Sequence, residues 1–286
     1  MDGEREIGPD MDRAPAPAGV APPAVAFRDV AIQFDTPSKD VHLAVTDITV
    51  DIAEGQFVAL VGPSGCGKST LLNAAAGLLV PNRGHVEIFG AALDGVNAHA
   101  TYLFQQDALL PWCTVLDNVK LGPLFQGMDP GEANRLARDW LQRVGLSAFA
   151  DRFPHQLSGG MRKRVAIAQT WIVDPRILLM DEPFASLDVQ VRQMMETELL
   201  NLWQGSNKTV LFVTHDLEEA IALSDAVVVL SAGPARIKGV YPVPLERPRD
   251  VAEIRLDPRF DELYRRIWGD LRDEVKRQHA RQELHA

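Results

Sequence analysis

The run Gly62-Pro63-Ser64-Gly65-Cys66-Gly67-Lys68-Ser69-Thr70 sets a glycine-rich turn directly before a lysine and two hydroxyls. In a G-x-x-x-x-G-K-[ST] arrangement that follows a strand and opens a helix, the glycines let successive backbone N–H groups turn inward around phosphates. The helix start adds its positive dipole end. Lys68 is then expected to reach the β- and γ-phosphates of a nucleotide, and the Ser69 hydroxyl to ligate Mg²⁺. Further along, Asp181-Glu182 closes the apolar run Ile177-Leu-Leu-Met180. Alone, such a pair is explained by an acidic turn that ends a strand. After a phosphate loop it reads differently, because carboxylates at the C-terminal end of a buried strand sit where α/β sheets bind ligands. Asp181 is placed to hold Mg²⁺, directly or through water. Glu182 is placed to polarise an attacking water, a role worth about 10²–10⁴ in rate.

These groups need a scaffold, and the apolar pattern supplies one. Phe57-Val-Ala-Leu-Val61 runs into Gly62, as a central strand covered on both faces does, and Lys68 to Ala76 reads as a helix closed by Gly77. Ile177 to Met180, Val210 to Thr214 and Ala226 to Leu230 are further strands, with helical segments between them. Alternation of this kind predicts an α/β domain with a mainly parallel sheet. Thr114 to His155 reads instead as a helical insertion. Asp129, Pro130 and Glu132 stand as N-cap, first-turn proline and capping-box glutamate, and Ala133, Leu136, Ala137, Trp140, Leu141 and Val144 repeat at helical spacing before Gly145. Trp140 is expected in its core. Pro248 and Pro258 are followed by Phe260, Leu263, Tyr264, Ile267, Trp268 and Leu271, spaced as an amphipathic helix that packs on the domain.

Composition narrows the class. The 286 residues carry a net charge of -10, with 46% hydrophobic and 24% charged residues, as in an ordinary globule. A charge of that sign opposes a broad grip on nucleic acid, so no nucleic-acid partner is expected. No apolar run approaches the roughly 18 residues of a membrane span. The first residues are acidic and then Ala/Pro-rich, unlike a secretory signal, which predicts a disordered tail and a cytoplasmic protein. Cys66 and Cys113 are read as two unpaired thiols in a reducing compartment.

Between the helical insertion and Asp181 lies Leu157-Ser158-Gly159-Gly160-Met161-Arg162. A serine N-cap followed by two glycines exposes N–H groups and a hydroxyl at a helix N-terminus, forming a second anion site. With the phosphate loop before it, this run makes the chain resemble the ATP-binding cassette (ABC) ATPases, whose signature reads LSGGQ, over about Val25 to Val240. Either motif arises by chance in about one chain in a hundred of this length, so the two in order leave a plain Ser-Gly turn little room.

The resemblance carries expectations. It implies an α/β P-loop NTPase cassette with a mainly parallel core sheet, an antiparallel β subdomain and a helical signature subdomain. The domains are then a 1–24 tail, a 25–246 ATPase domain whose helical subdomain spans about 106–170, and a 247–286 helical extension. It implies that two cassettes face each other head to tail, so that Ser158, Gly159 and Gly160 of one cover the γ-phosphate held by Gly62 to Thr70 of the other. Phe34 resembles the aromatic that stacks on adenine, a core phenylalanine being its alternative. Gln105 is similar to the glutamine that senses Mg²⁺ and links nucleotide to permease, and Gln106 competes for that part. Ser186-Leu187-Asp188 resembles the loop that crosses to the partner's site, and His215 the switch histidine that contacts the γ-phosphate. Met161 departs from the signature glutamine, and Gln169-Thr170 stands where many relatives have Arg-Ala.

The implied activity is hydrolysis of Mg-ATP that drives a membrane permease at the cytoplasmic face of the membrane. Leu109-Leu-Pro-Trp112 followed by Thr114-Val-Leu-Asp-Asn118-Val119 is similar to the importer group for nitrate, sulfonate, taurine and pyrimidine precursors, which also uses an extracytoplasmic binding protein. A soluble ABC ATPase, or an ATP-binding scaffold without transport, is the alternative. Intact Lys68, Asp181, Glu182 and His215 oppose the scaffold.

Overall fold

A computed structural model describes residues 21–35 and 41–285. The disordered tail expected over 1–24 lies outside the described residues as far as residue 20; Ala24 is buried, and its N–H bonds the Ile52 carbonyl at 2.8 Å.

Two sheets form the framework. The antiparallel sheet is built from β1 (Val25–Asp35), β2 (Val41–Ile52), β4 (Arg83–Ile88) and β5 (Ala91–Ala92), in the order β2-β1-β4-β5. The second contains β3 (Phe57–Val61), β6 (Ala100–Leu103), β7 (Ile177–Asp181), β8 (Thr209–Val213), β9 (Ala226–Leu230) and β10 (Ile237–Pro242), in the order β10-β9-β3-β8-β7-β6. All its neighbours are parallel except β10, which runs antiparallel to β9.

The unbroken apolar runs of the central strands follow from burial on both faces. Phe57, Ala59, Val61, Leu178, Met180 and Phe212 point into one core, shared with the helical insertion and the C-terminal helix. Val58, Leu60, Leu179, Leu211 and Val213 point into the other, beneath α1 (Lys68–Ala75) and the antiparallel sheet. Phe57 anchors the first core, with edge contacts to Trp203 at 5.4 Å and Phe212 at 5.8 Å between ring centroids.

The insertion is helical as its periodicity predicts: α2 (Val115–Phe125), α3 (Pro130–Arg143) and α4 (Gly159–Trp171). Asp129 caps α3, accepting from the N–H groups of Gly131 at 2.9 Å and Glu132 at 3.1 Å. Only half of the expected capping box forms, because the Glu132 carboxylate turns to Arg135 at 3.9 Å instead of back to the cap. Trp140 is buried in this core. Asn118 is fully buried and ties down the preceding loop, with its Oδ1 accepting from Leu110 N–H at 2.7 Å and its Nδ2 donating to the carbonyls of Leu110, Cys113 and Thr114. That leaves Trp112 outside, 72% exposed.

Beyond β7 and β8 lie α5 (Val189–Trp203) and α6 (Leu217–Leu223), and the chain ends in α7 (Pro258–His285). Phe260, Leu263, Ile267 and Leu271 bury one side of α7 against the domain. Glu274 fastens it further along, accepting from Ala232 N–H at 3.0 Å and pairing with Lys238 at 2.8 Å. Among the described residues no helix is long and apolar enough to cross a membrane.

Candidate nucleotide site

The chain leaves β3 at Val61 and turns through Gly62 to Gly67 before α1 begins. Two glycines there are sterically required. A side chain at Gly62 would put its Cβ 2.9 Å from Cys66 Sγ, and Gly67 has φ +114° with a Cβ position 2.5 Å from Val45 Cγ1. Gly67 caps α1 without a side chain, so no cap side chain takes up the N–H groups of the first turn. Lys68 is buried and folds back over the loop, donating to the carbonyls of Gly62 at 3.0 Å and Pro63 at 3.1 Å. The loop opens on a cleft of about 220 Å³ lined by Phe34, His42, Gly65, Lys68, Ser69, Thr70 and Glu182. Phe34 is 41% exposed on its wall and is not a core residue.

The ends of β7 and β8 bring the polar groups to the same place. Ser69 Oγ donates to Asp181 Oδ1 at 2.9 Å, and Tyr102, from β6, donates its hydroxyl to Asp181 Oδ2 at 3.2 Å. Burial pushes the Asp181 carboxyl above its ordinary range, opposed by these two hydrogen bonds. Burial and the Asp181 charge push the Tyr102 phenol up as well, so it stays a donor. Ser69 and Asp181 are hard oxygen donors close enough to share one cation, and a Mg²⁺ there would offset the burial of the carboxylate. Among the described residues no cluster of three His, Cys, Asp or Glu could hold a metal unaided. A Mg²⁺ at Ser69 and Asp181 must therefore complete its shell with water and phosphate oxygens, as this ion commonly does.

Glu182 follows with φ 42°, its N–H bonded to the Val213 carbonyl at 2.9 Å. Its Oε2 lies 2.9 Å from His215 Nδ1. A carboxylate there can only accept, so the ring nitrogen is the donor. The histidine stands on a braced turn: Thr214 Oγ1 donates to Glu219 Oε2 at 2.7 Å and accepts from Asp216 N–H at 3.0 Å. Lys68, Ser69, Asp181, Glu182 and His215, predicted from separate stretches of sequence, thus converge at the C-terminal ends of β3, β7 and β8.

The remaining predicted residues lie elsewhere. Gln105 and Gln106 both line a second hollow of about 470 Å³, with Asp107, Arg162 and Ser186. Gln105 does not line the Lys68 cleft; its carbonyl accepts from Lys163 Nζ at 3.2 Å, and Lys163, almost fully buried, pairs with Asp107 at 2.8 Å. Ser158 caps α4, accepting from Met161 N–H at 3.3 Å, and Asp188 caps α5, accepting from Val191 N–H at 3.0 Å. Neither cap, nor Gly159 or Gly160, lines the cleft around Lys68.

Three participants escape the sequence reading. Tyr102 is one aromatic in a short strand, and nothing local marks its hydroxyl as a partner of Asp181. Lys163 sits in the run Arg162-Lys163-Arg164, which suggests solvent. Gln278 of α7 donates to the Ser64 carbonyl, across a hollow of about 260 Å³ shared by Pro63, Ser64, His215, Trp268 and Leu271. Only the length of the amphipathic pattern hints that α7 extends so far.

Comparison with known proteins agrees with this geometry. Residues 45–185 match the ABC transporter family model. An uncharacterized ABC transporter ATP-binding protein of Methanocaldococcus jannaschii is 47% identical over 232 residues, 81% of this chain and 85% of the relative. The taurine import ATP-binding protein TauB of Pseudomonas aeruginosa is 40% identical over 238 residues, 82% of this chain and 90% of TauB. Among solved structures, a dimeric post-hydrolysis state of the ATP-binding cassette MJ0796 bound to ADP and Pi superposes with a TM-score of 0.70 at 30% identity, covering 78% of this chain and all of that one.

Proposed function

The chain belongs to the family of ABC transporter ATP-binding proteins, and on that premise we propose that it is the ATP-hydrolysing subunit of an importer for nitrate, sulfonate, taurine or a similar small solute. The observation that carries the catalytic part is the Glu182–His215 pair at 2.9 Å beside the Ser69–Asp181 pair at 2.9 Å, both at the mouth of the glycine loop.

In this proposal the loop N–H groups and Lys68 hold the triphosphate, with Lys68 exchanging its two loop carbonyls for phosphate oxygens. Phe34 stacks on the base. Mg²⁺, held by Ser69 and Asp181, would neutralise charge on the β- and γ-phosphates, and Gln105, which stands outside the Lys68 cleft, would sense it only once its loop moves in from the neighbouring hollow. Glu182 orients a water toward the γ-phosphorus and takes its proton as the bond to the β–γ bridging oxygen breaks. His215 donates to Glu182 and holds it in place, and in the family's pattern it would contact the γ-phosphate. The second half of each site comes from a second copy of the chain, through Ser158, Gly159, Gly160 and Asp188. Their absence from the Lys68 cleft supports that division.

The output is mechanical. Two ATP molecules bridge the pair, hydrolysis removes the bridge, and a permease seated on the helical insertion and the Gln105 loop follows the motion. Exposed Trp112, on a loop clamped by Asn118, gives such a partner an apolar contact. On this reading the chain works at the cytoplasmic face of the membrane, held there by the permease, with an extracytoplasmic binding protein delivering the solute. The importer class rests on the resemblance of Leu109–Trp112 and on the taurine-import relatives.

Glu182→Gln is the test. The variant is expected to bind ATP normally and to hydrolyse it at least about a hundredfold more slowly. It should accumulate an ATP-dependent dimer, seen by sedimentation. Wild-type turnover in E182Q would remove Glu182 from the catalytic role.

A further inference from the structure

Arg192 lies one turn into α5, immediately after the Ser186-Leu187-Asp188 loop. Its guanidinium spans two loops. Nη2 donates to the Leu187 carbonyl at 3.3 Å, Nη1 donates to Asp216 Oδ2 at 3.3 Å, and Nε lies 3.6 Å from Glu219 Oε1. Asp216 follows His215 in the turn, and Glu219 lies on the first turn of α6. Asp216 caps α6 through its other oxygen, accepting from Glu218 N–H at 2.9 Å, and Glu219 accepts from Thr214. One side chain therefore joins the carbonyl of the Leu187 loop to Asp216 directly and, through Glu219, to Thr214, the two neighbours of His215, which itself meets Glu182.

We propose that Arg192 is a positioning residue that couples the two ATP sites of a cassette pair, by tying the loop that faces the partner's nucleotide to the loop that carries its own His215. The inference rests on the head-to-tail reading above, in which Ser186 to Asp188 reaches the opposite site. A displacement of that loop by the partner's γ-phosphate pulls on Leu187, and a planar fork passes the pull to Asp216 and Glu219. Arginine suits this task because five donors fixed in one plane serve several acceptors at once, whereas an ammonium is a point charge.

The neighbouring cluster supplies a control. Arg255 pairs with the buried Glu196 of α5 at 3.1 Å and approaches the exposed Glu218 of α6 at 3.6 Å, so it serves neighbouring acids of the same two helices without touching the Leu187 carbonyl or Asp216. Arg192→Gln, Arg192→Lys and Arg255→Gln are compared in the full-length chain. The readouts are ATP titrations of steady-state hydrolysis, binding of a fluorescent ATP analogue to monomers, and thermal melts. Wild type is expected to hydrolyse cooperatively. R192Q should lose cooperativity, with a Hill coefficient of about one, and lose about tenfold in kcat at unchanged monomer affinity. R192K keeps a cation beside Glu219, which protects the fold, and should lose cooperativity as well. R255Q should lower the melting temperature alone. Cooperativity retained in R192Q or R192K overturns the proposal, as does its equal loss in R255Q. A non-cooperative wild type would instead overturn the paired-site reading, and the coupling role with it.

Discussion

Gly67 holds φ +114°, and a β-carbon there would meet Val45 Cγ1 at 2.5 Å and the Ala44 carbonyl at 3.3 Å. An L side chain is excluded twice over, by its own backbone and by β2. At Gly65 only the first objection applies, since its φ is +75° and nothing lies within 4 Å of the added carbon. Gly67→Ala should therefore strain the loop by about 1–3 kcal/mol and weaken ATP binding more than tenfold, with Gly65→Ala clearly milder. Titration with a fluorescent nucleotide, beside thermal melts, separates a lost cradle from a lost fold. Equal affinities in G67A and wild type would show that these N–H groups do not hold the phosphates. At this scale the sequence is legible where chemistry needs a fixed spacing, as at Lys68, Ser69, Asp181 and Glu182. Tyr102 and Arg192 are not legible, because each acts through a partner 79 or 24 residues away that only the folded chain brings near.

The helix faces behind the site carry an unusual load of buried acid. Glu196 of α5 is fully buried, with one oxygen 3.1 Å from Arg255 and the other without a hydrogen-bond partner. Burial, reinforced by the nearby charge of Glu219, pushes its carboxyl from 4.5 up to about 7. Between those values the folded chain binds a proton that the unfolded chain has released, so this group's contribution to stability falls as pH rises through the window. Removing the charge should recover on the order of 2–3 kcal/mol above pH 7. Glu196→Gln is thus expected to match wild type near pH 5 and to exceed it at pH 8 in chemical denaturation; a constant offset between the two would place the cost in packing instead. Such a residue is invisible in sequence, where a glutamate in a helix reads as solvent-facing. By contrast β3 and β9 are legible as unbroken apolar runs because both of their faces are covered. β1 and β2 escape, since the β1–β2 register shifts between Phe27 and Val30 and again on either side of Ile32, which breaks any alternation.

Assembly is the scale on which the signature must be judged. Ser158 is exposed, its hydroxyl turned to Met161 N–H, and Gly160 packs so closely that a β-carbon would come within 2.8 Å of Val191 on α5. The turn thus opens α4 with Ser158 as its cap and lines no part of its own Lys68 cleft. In the proposed pair, a triphosphate gripped by Lys68 of one copy and capped by Ser158 of the other would join the two surfaces. Ser158→Arg removes the cap, at about 1 kcal/mol, and fills the space where the γ-phosphate would dock. Isolated S158R chains are expected to bind ATP as wild type does. Their hydrolysis should fall by about a hundredfold or more, and the Glu182→Gln dimer should no longer form once S158R is added to it. Sedimentation with and without ATP reads the dimer directly. If S158R abolishes nucleotide binding by single chains, the serine-glycine turn serves its own site, and the head-to-tail arrangement is wrong.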